Sequence, residues 1–339
     1  MTEVRTMNSL YPKLQAAGVP KQYVKQYVLP DWWNSELDAD PEALVTAASY
    51  LATRLNLEFI SLVQNDSELK FCPNNQIKYK KSEGNQPHQL LVPRAIASRL
   101  GEWAAHACPV PYNSIVNLSA REIRKAILHS DATVNLNSLL QFCWNHGVPV
   151  IHLTKYPAGN RKFDGVVLKV GGRHVIVISV DHTSPSKISF ILAHEIGHIC
   201  LNHIRENDEY LDQSIELDSD SDSEEERQAN FFATEVLHGN PEPRYQILRP
   251  HNLDTFLFEA RSFGDSHIDP GAFLWSYAWN ANKTQKRNYY PLVNNVLKIL
   301  EEGKDARRII NTYFENSIVW DKLSSERQDY LKEMVSVGT

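Results

Sequence analysis

The sequence has no apolar run approaching the length of a membrane-spanning helix, which excludes a helical bilayer anchor. Its opening residues, Met1-Thr2-Glu3-Val4-Arg5-Thr6, lack the apolar stretch of a secretory signal, so a cytoplasmic setting is expected. Cysteine is scarce. Cys72, Cys108, Cys143 and Cys200 lie far apart and form no C-x-x-C pair, which argues for reduced thiols and against a disulfide framework. There are no internal repeats, and the Ser-Asp alternation over 219–223 is the only low-complexity tract. Lysine and arginine are missing from 206–226, where eleven acidic residues crowd together. That run outweighs the whole net charge of −6 and leaves +5 on the rest of the chain. A mildly basic body with one acidic insert carries no strong nucleic-acid signature, so direct binding to DNA or RNA is not expected.

The composition is that of an ordinary globular protein, 42% hydrophobic and 22% charged over 339 residues. That length suggests two or three domains. Residues 1–87 are expected to form a helical module, 88–282 the unit that carries the chemistry, and 283–339 a C-terminal helical region. In the first unit Asp40-Pro41 is a helix-start signal, and Leu44, Ala48, Leu51 and Leu55 form one apolar stripe that Asn56 can stop. The phrase Leu51-Ala52-x-x-Leu55-Asn56-Leu57 resembles the second helix of a helix-turn-helix, but no basic recognition helix follows it. The polar stretch 73–89 reads as a linker. Helical spacing returns at Ile96, Leu100, Trp103 and Ala107, then after the capping box Ser119-x-x-Glu122, then from Leu139 to His146 with Gly147 as stop. Short β-branched runs at 148–153, 165–170 and 174–180 read as strands joined by hairpin-type turns at 157–159 and 171–172. The expected fold is therefore α+β, mostly helical, with a small sheet.

Ser184-Pro185 then opens a nearly all-apolar helix that contains His194-Glu195-Ile196-Gly197-His198. Two histidines at i and i+4 face the same way and can hold one divalent ion, with Glu195 beside them as a proton acceptor. The third ligand is not on the same segment. A histidine six residues past His198, with glycine between, would fall at 204 and 201, where the chain has Ile204 and Leu201. His203 is one place off and, on a continued helix, points away, so it reads as a helix-end residue or a support for the ligands. A carboxylate on the next helix suits better. Glu226 precedes the small residues Ala229 and Ala233, which allow close packing; Glu224 and Glu225 compete with it, and Ser223 to Glu226 also reads as a capping box.

His194-Glu195-Ile196-Gly197-His198 after Phe190-Ile191-Leu192-Ala193, followed by Glu226-x-x-Ala229-Asn230-x-Phe232-Ala233, resembles the ImmA/IrrE family of bacterial metallopeptidases. Phe163-Asp164-Gly165 and Ile268-Asp269-Pro270-Gly271 look like its framework, so the resemblance spans about 139–282. It implies a zincin-like core flanked by the two helical regions, with His194, His198 and Glu226 holding one Zn²⁺ per chain and Glu195 as catalytic acid/base. Other divalent transition metals suit the same donors. Candidates for steadying the oxyanion or the ligands are His203, Tyr210, Arg227, His238 and Asn230. The resemblance also implies a protein substrate, a helix-turn-helix repressor or an antitoxin or toxin partner, in stress responses or mobile genetic elements. The acidic insert reads as a solvated loop, or as a lip that selects a basic partner. A rival reading is a non-catalytic module that sequesters such a partner around a structural metal.

Overall fold

The computed structural model describes every residue except 1–4, 65–67, 73–76, 80–87, 161–162, 205–208, 213–222, 246, 248–251 and 338–339, and gives the backbone alone at 77–79, 88–89, 209–212 and 264–265. The chain begins with five short helices, α1 (Met7–Ala16), α2 (Lys21–Tyr23, continued as a π-turn), α3 (Ser35–Ala39), α4 (Leu44–Leu55) and α5 (Phe59–Val63). Strand β1 (Ile77–Tyr79) precedes α6 (His88–Ala107), α7 (Ala120–Leu128) and α8 (Leu136–Asn145). Strands β2 (Val150–His152), β3 (Gly165–Val170) and β4 (Arg173–Ile178) lead into α9 (Pro185–Cys200), then β5 (Glu209–Asp212) and α10 (Glu224–His238). Helices α11 (Leu253–Ser262), α12 (Pro270–Gln285), α13 (Tyr290–Leu300), α14 (Ala306–Ser317) and α15 (Ser325–Val335) complete an α+β, mostly helical fold.

Local signals set many of these boundaries. Ser119 Oγ accepts the Glu122 amide at 3.3 Å and Glu122 Oε2 accepts the Ser119 amide at 2.8 Å, a reciprocal cap for α7. Asn56, at φ 56°, ends α4 in the left-handed region. The start of α4 falls later than the Asp40-Pro41 signal predicts. Asp40 Oδ1 accepts the Glu42 amide at 2.9 Å and closes a turn, and the helix begins only at Leu44.

The sheet has five strands in the order β1-β5-β3-β4-β2. Gly171 and Gly172, at φ 56° and 82°, form the β3–β4 hairpin turn, where two successive positive φ angles favour glycine. The expected β2–β3 hairpin does not form, because β2 pairs in parallel with β4 instead. Alternation divides the buried strand residues between two layers. Val167, Ile176 and Ile178 join α8 and α9 in one core, whereas Val166, Leu168, Val175 and Val177 join α6, the N-terminal helices and α15 in another. A third cluster lies among α11, α12 and α13. Asn311 on α14 ties the sheet edge to the C-terminus: its Oδ1 accepts the His152 amide at 2.8 Å, and its Nδ2 donates to His152 O at 2.8 Å and Val335 O at 2.6 Å.

Candidate metal centre

Helix α9 sits between the sheet and α10. Ser184 Oγ accepts the Lys187 amide at 3.3 Å, with Pro185 in the first turn, so the helix starts where the chain leaves the sheet. Apolar residues surround it, and His194, Glu195 and His198 are 0% exposed. Helix α10 crosses close by because the contact is made by small residues. A Cβ on Gly197 would stand 3.3 Å from both Ala229 Cα and Phe232 Cβ. At the N-terminus of α10 the Glu226 amide donates to Ser223 Oγ at 3.3 Å, while the Glu226 side chain, 1% exposed, reaches the histidines.

Three donor groups converge there. His194 Nε2 and His198 Nε2 are 2.9 Å apart, Glu226 Oε2 is 3.4 Å from the first, and Oε1 is 3.6 Å from the second. Among the described residues these three form the group whose donor atoms, all within 4.8 Å of one another, could hold a metal ion. A tetrahedral ion with bonds of about 2.0–2.2 Å spaces its donors roughly 3.3–3.6 Å apart, so both carboxylate separations fit and the imidazole pair is slightly close.

The outer ring nitrogens decide which atoms face the centre. His194 Nδ1 meets Asn230 Oδ1 at 2.9 Å; an amide oxygen only accepts, so Nδ1 carries the hydrogen and His194 Nε2 turns its lone pair toward the centre. His203 Nε2–H donates to Gln228 Oε1 at 3.2 Å; with the hydrogen there, His203 Nδ1 accepts His198 Nδ1–H at 2.9 Å and His198 Nε2 also turns its lone pair toward the centre. Two lone pairs and a carboxylate meeting in a buried pocket repel one another unless a cation lies between them. This donor set therefore fits a divalent metal.

Glu195 packs against β3. A Cβ on Gly165 would lie 2.1 Å from Glu195 Oε1 and 2.7 Å from its Cδ, so only glycine admits the carboxylate at that point of the strand.

The remaining candidates separate. His203 and Asn230 are buried against the two histidines, at 7% and 8% exposure. The expectation that His203 points away rested on a continued helix. In fact α9 stops at Cys200, Asn202 takes φ 56°, and the turn brings His203 back, its amide donating to His198 O at 3.0 Å. Arg227 is not brought to the centre, because it lies on the exposed side of α10 and pairs with Glu224. His238 lies a further ~18 Å along α10 from Glu226, too far to reach. It hydrogen-bonds with the Tyr245 hydroxyl at 2.8 Å, and burial, aided by Arg124, lowers its pKa to about 3. Tyr210 is placed by its backbone only, in β5 opposite Val167. Most of the acidic insert, 206–208 and 213–222, lies outside the described residues. Gly165 as a contact of Glu195 and Gln228 as a partner of His203 escaped the sequence reading; an isolated glycine opening a β-branched run was the available signal for the first.

Fold and site together define a metallopeptidase-type centre: an α+β frame in which a buried helix and the inner face of a second bring a His₂Glu donor set together next to a further glutamate. Residues 143–249 match the family model described as the IrrE N-terminal-like domain, a peptidase family, so this stretch is similar to that domain. The match takes in β2 to α10 and ends before Ile268-Asp269-Pro270-Gly271. No curated protein matches the chain. A protein substrate follows from the family, and among the described residues no helix is long and apolar enough to cross a membrane.

Proposed function

We propose that this protein is a zinc-dependent endopeptidase that cuts a specific regulatory protein, a helix-turn-helix repressor or an antitoxin or toxin partner, in the cytoplasm. The observation that carries the catalytic part is the meeting of His194 Nε2, His198 Nε2 and Glu226 around one point, with both outer nitrogens held by hydrogen bonds. The choice of partner is supported by the resemblance to the ImmA/IrrE family, and roles in stress response or toxin–antitoxin control follow from that resemblance too.

In this reading His194, His198 and Glu226 hold the metal, and Asn230 and His203 keep the two rings turned toward it. A zinc ion bound there supplies Lewis acidity, polarising a peptide carbonyl and making water more acidic. Glu195 accepts the proton of the attacking water on its carboxylate and returns it to the leaving amine nitrogen. Gly165 leaves the space in which that carboxylate turns. The apolar walls of α9 exclude bulk water, which strengthens each charge interaction within.

The same burial also favours the second reading, a binding module that sequesters its partner, because a 0% exposed Glu195 is closed to substrate in this conformation. Comparing new protein N-termini in cells expressing wild type and Glu195→Gln separates the two. The peptidase reading expects one or a few N-termini, within a DNA-binding protein or toxin partner, that appear only with wild type. Identical N-termini in both would leave the binding module.

A further inference from the structure

Helix α7 meets the C-terminal end of α10, and an open groove of about 550 Å³ lies there, lined by Arg121, Arg124, Lys125, Leu128, His129 and Gly239. Ile123 and Ile127 turn the other side of α7 into the core that also holds Val236 and Leu237 of α10. Gly239 ends α10 at φ 76°, and a Cβ there would stand 3.2 Å from Arg124 Nε, so glycine leaves the guanidinium its room. The groove is separate from the metal centre. Glu226 and Gly239 stand at opposite ends of α10, ~20 Å apart along the helix axis.

The positive charge of the groove is largely uncompensated. Arg124 is fixed by neutral carbonyls: its Nη1 donates to Val236 O at 3.0 Å and Leu237 O at 2.8 Å, and its Nη2 to His267 O at 2.8 Å. Lys125 and His129 make no side-chain hydrogen bond or ion pair among the described residues. Arg121 pairs with Glu235 at 2.8 Å, but its side chain is 82% exposed, and such a pair is weak and open to a second acceptor. Glu122, the carboxylate of α7 itself, is engaged by Ser119. Two features select the kind of anion. Both helix ends at the groove are C-terminal, so they present carbonyls and no nest of amides for a phosphate. The donors are instead side chains in a row: Arg121, Lys125 and His129 follow at i, i+4 and i+8, about 6.0 Å per step along α7. Alternate residues of an extended chain lie about 6.6–6.8 Å apart, a close match.

We propose that the groove between α7 and Gly239 docks an extended, acidic segment of the partner protein, with carboxylates at alternate positions meeting Arg121, Lys125 and His129. About six extended residues span the ~20 Å between the two ends of α10, so one chain can lie in the groove and still reach the metal centre. Docking there holds the partner at a high local concentration beside that centre, and charge selects which partner is held. This rests on the reading of a protein partner above and adds the chemistry by which that partner is chosen.

The test uses full-length protein carrying Glu195→Gln, so that no probe is cut, and follows binding by fluorescence anisotropy. The probes are fluorescein-labelled glycine–serine peptides with three glutamates, placed either at alternate positions or side by side, the alternate-lysine counterpart, and oligothymidylate. The alternate-glutamate peptide is expected to bind, more tightly than the side-by-side form, and the lysine peptide is not. Arg121→Gln with Lys125→Gln should weaken it about fivefold, two exposed ion pairs at roughly two- to threefold each. Lys125→Glu alone, which reverses one surface charge, should weaken it as well, with the thermal midpoint of each variant measured to show that the fold is kept. No binding of the alternate-glutamate peptide, equal affinity in the variants, no preference for the alternate spacing, or tighter binding of oligothymidylate overturns the proposal. The same titration on metal-free protein should give the same affinities. Failure of the peptidase reading, seen as no metal uptake and no cleavage, is therefore distinguishable from failure of this one.

Discussion

Gly165→Ala puts one methyl group where Glu195 now lies. The added Cβ would stand 2.1 Å from Oε1, whereas ordinary contact begins near 3.4 Å. The carboxylate must therefore withdraw by about 1.3 Å, or β3 must move away from α9 by a similar amount. A displacement of about 1 Å at a reacting group costs on the order of a hundredfold in rate, about 2.7 kcal/mol in the barrier. Gly165 does not adopt a positive φ, so alanine brings no backbone strain of its own. The contact is with Glu195 and not with the three metal donors, which should keep their affinity. The assay is the cleavage rate of the partner protein, with metal content and thermal midpoint measured alongside. The expected result is a rate about a hundredfold lower with metal content unchanged. Full activity in Gly165→Ala would refute the placement of Glu195 against β3, and metal lost in parallel with activity would refute the separation of the two functions.

Replacing the His203 ring with one that cannot accept a hydrogen bond, His203→Phe, frees His198 Nδ1–H from its partner and should weaken metal affinity about 10–100-fold in a chelator competition, with His203→Asn intermediate. Glu195→Gln should bind metal as wild type does and lose cleavage in a single-turnover assay. Burial holds His152 at a pKa of about 4, against an ordinary 6.5. Its neutral form is thus favoured by folding: the contribution is complete above pH 6.5 and is lost as pH falls from 6.5 to about 4, worth ~3 kcal/mol. The thermal midpoint should fall over that interval on acidification, and His152→Leu should flatten the slope. Asn311→Ala leaves the His152 amide and two carbonyls without their side-chain partner and should cost about 3 kcal/mol in chemical denaturation.

The half of the site that is local was legible in the sequence. His194 and His198 share a face because their spacing is one helical turn, and Ser184-Pro185 marks where that helix begins. Glu226 needed a tertiary contact. The sequence offered only small residues, Ala229 and Ala233, as a hint that α10 could come close, and two neighbouring glutamates remained as rivals. The role of His203 was hidden for a different reason: helical projection assumes that the helix continues, and a left-handed Asn202 ends that assumption. Period marks a strand without naming its partner, so the pattern shows three strands but not that β2 pairs with β4, and β5, four residues inside an acidic run, has the composition of a loop. The contact of Gly165 with Glu195 joins two elements that no local pattern connects.

The central claim is that His194, His198 and Glu226 hold one divalent ion. It is tested most directly by metal content and by the visible absorption of the Co²⁺-substituted full-length protein, in wild type and in Glu226→Ala. The account predicts one ion per wild-type chain, with the intense absorption of a low-coordinate site, and loss of both in Glu226→Ala while the fold is kept. A wild-type chain that takes up no metal, or a Glu226→Ala chain that holds one ion as tightly as wild type with an unchanged spectrum, would contradict it.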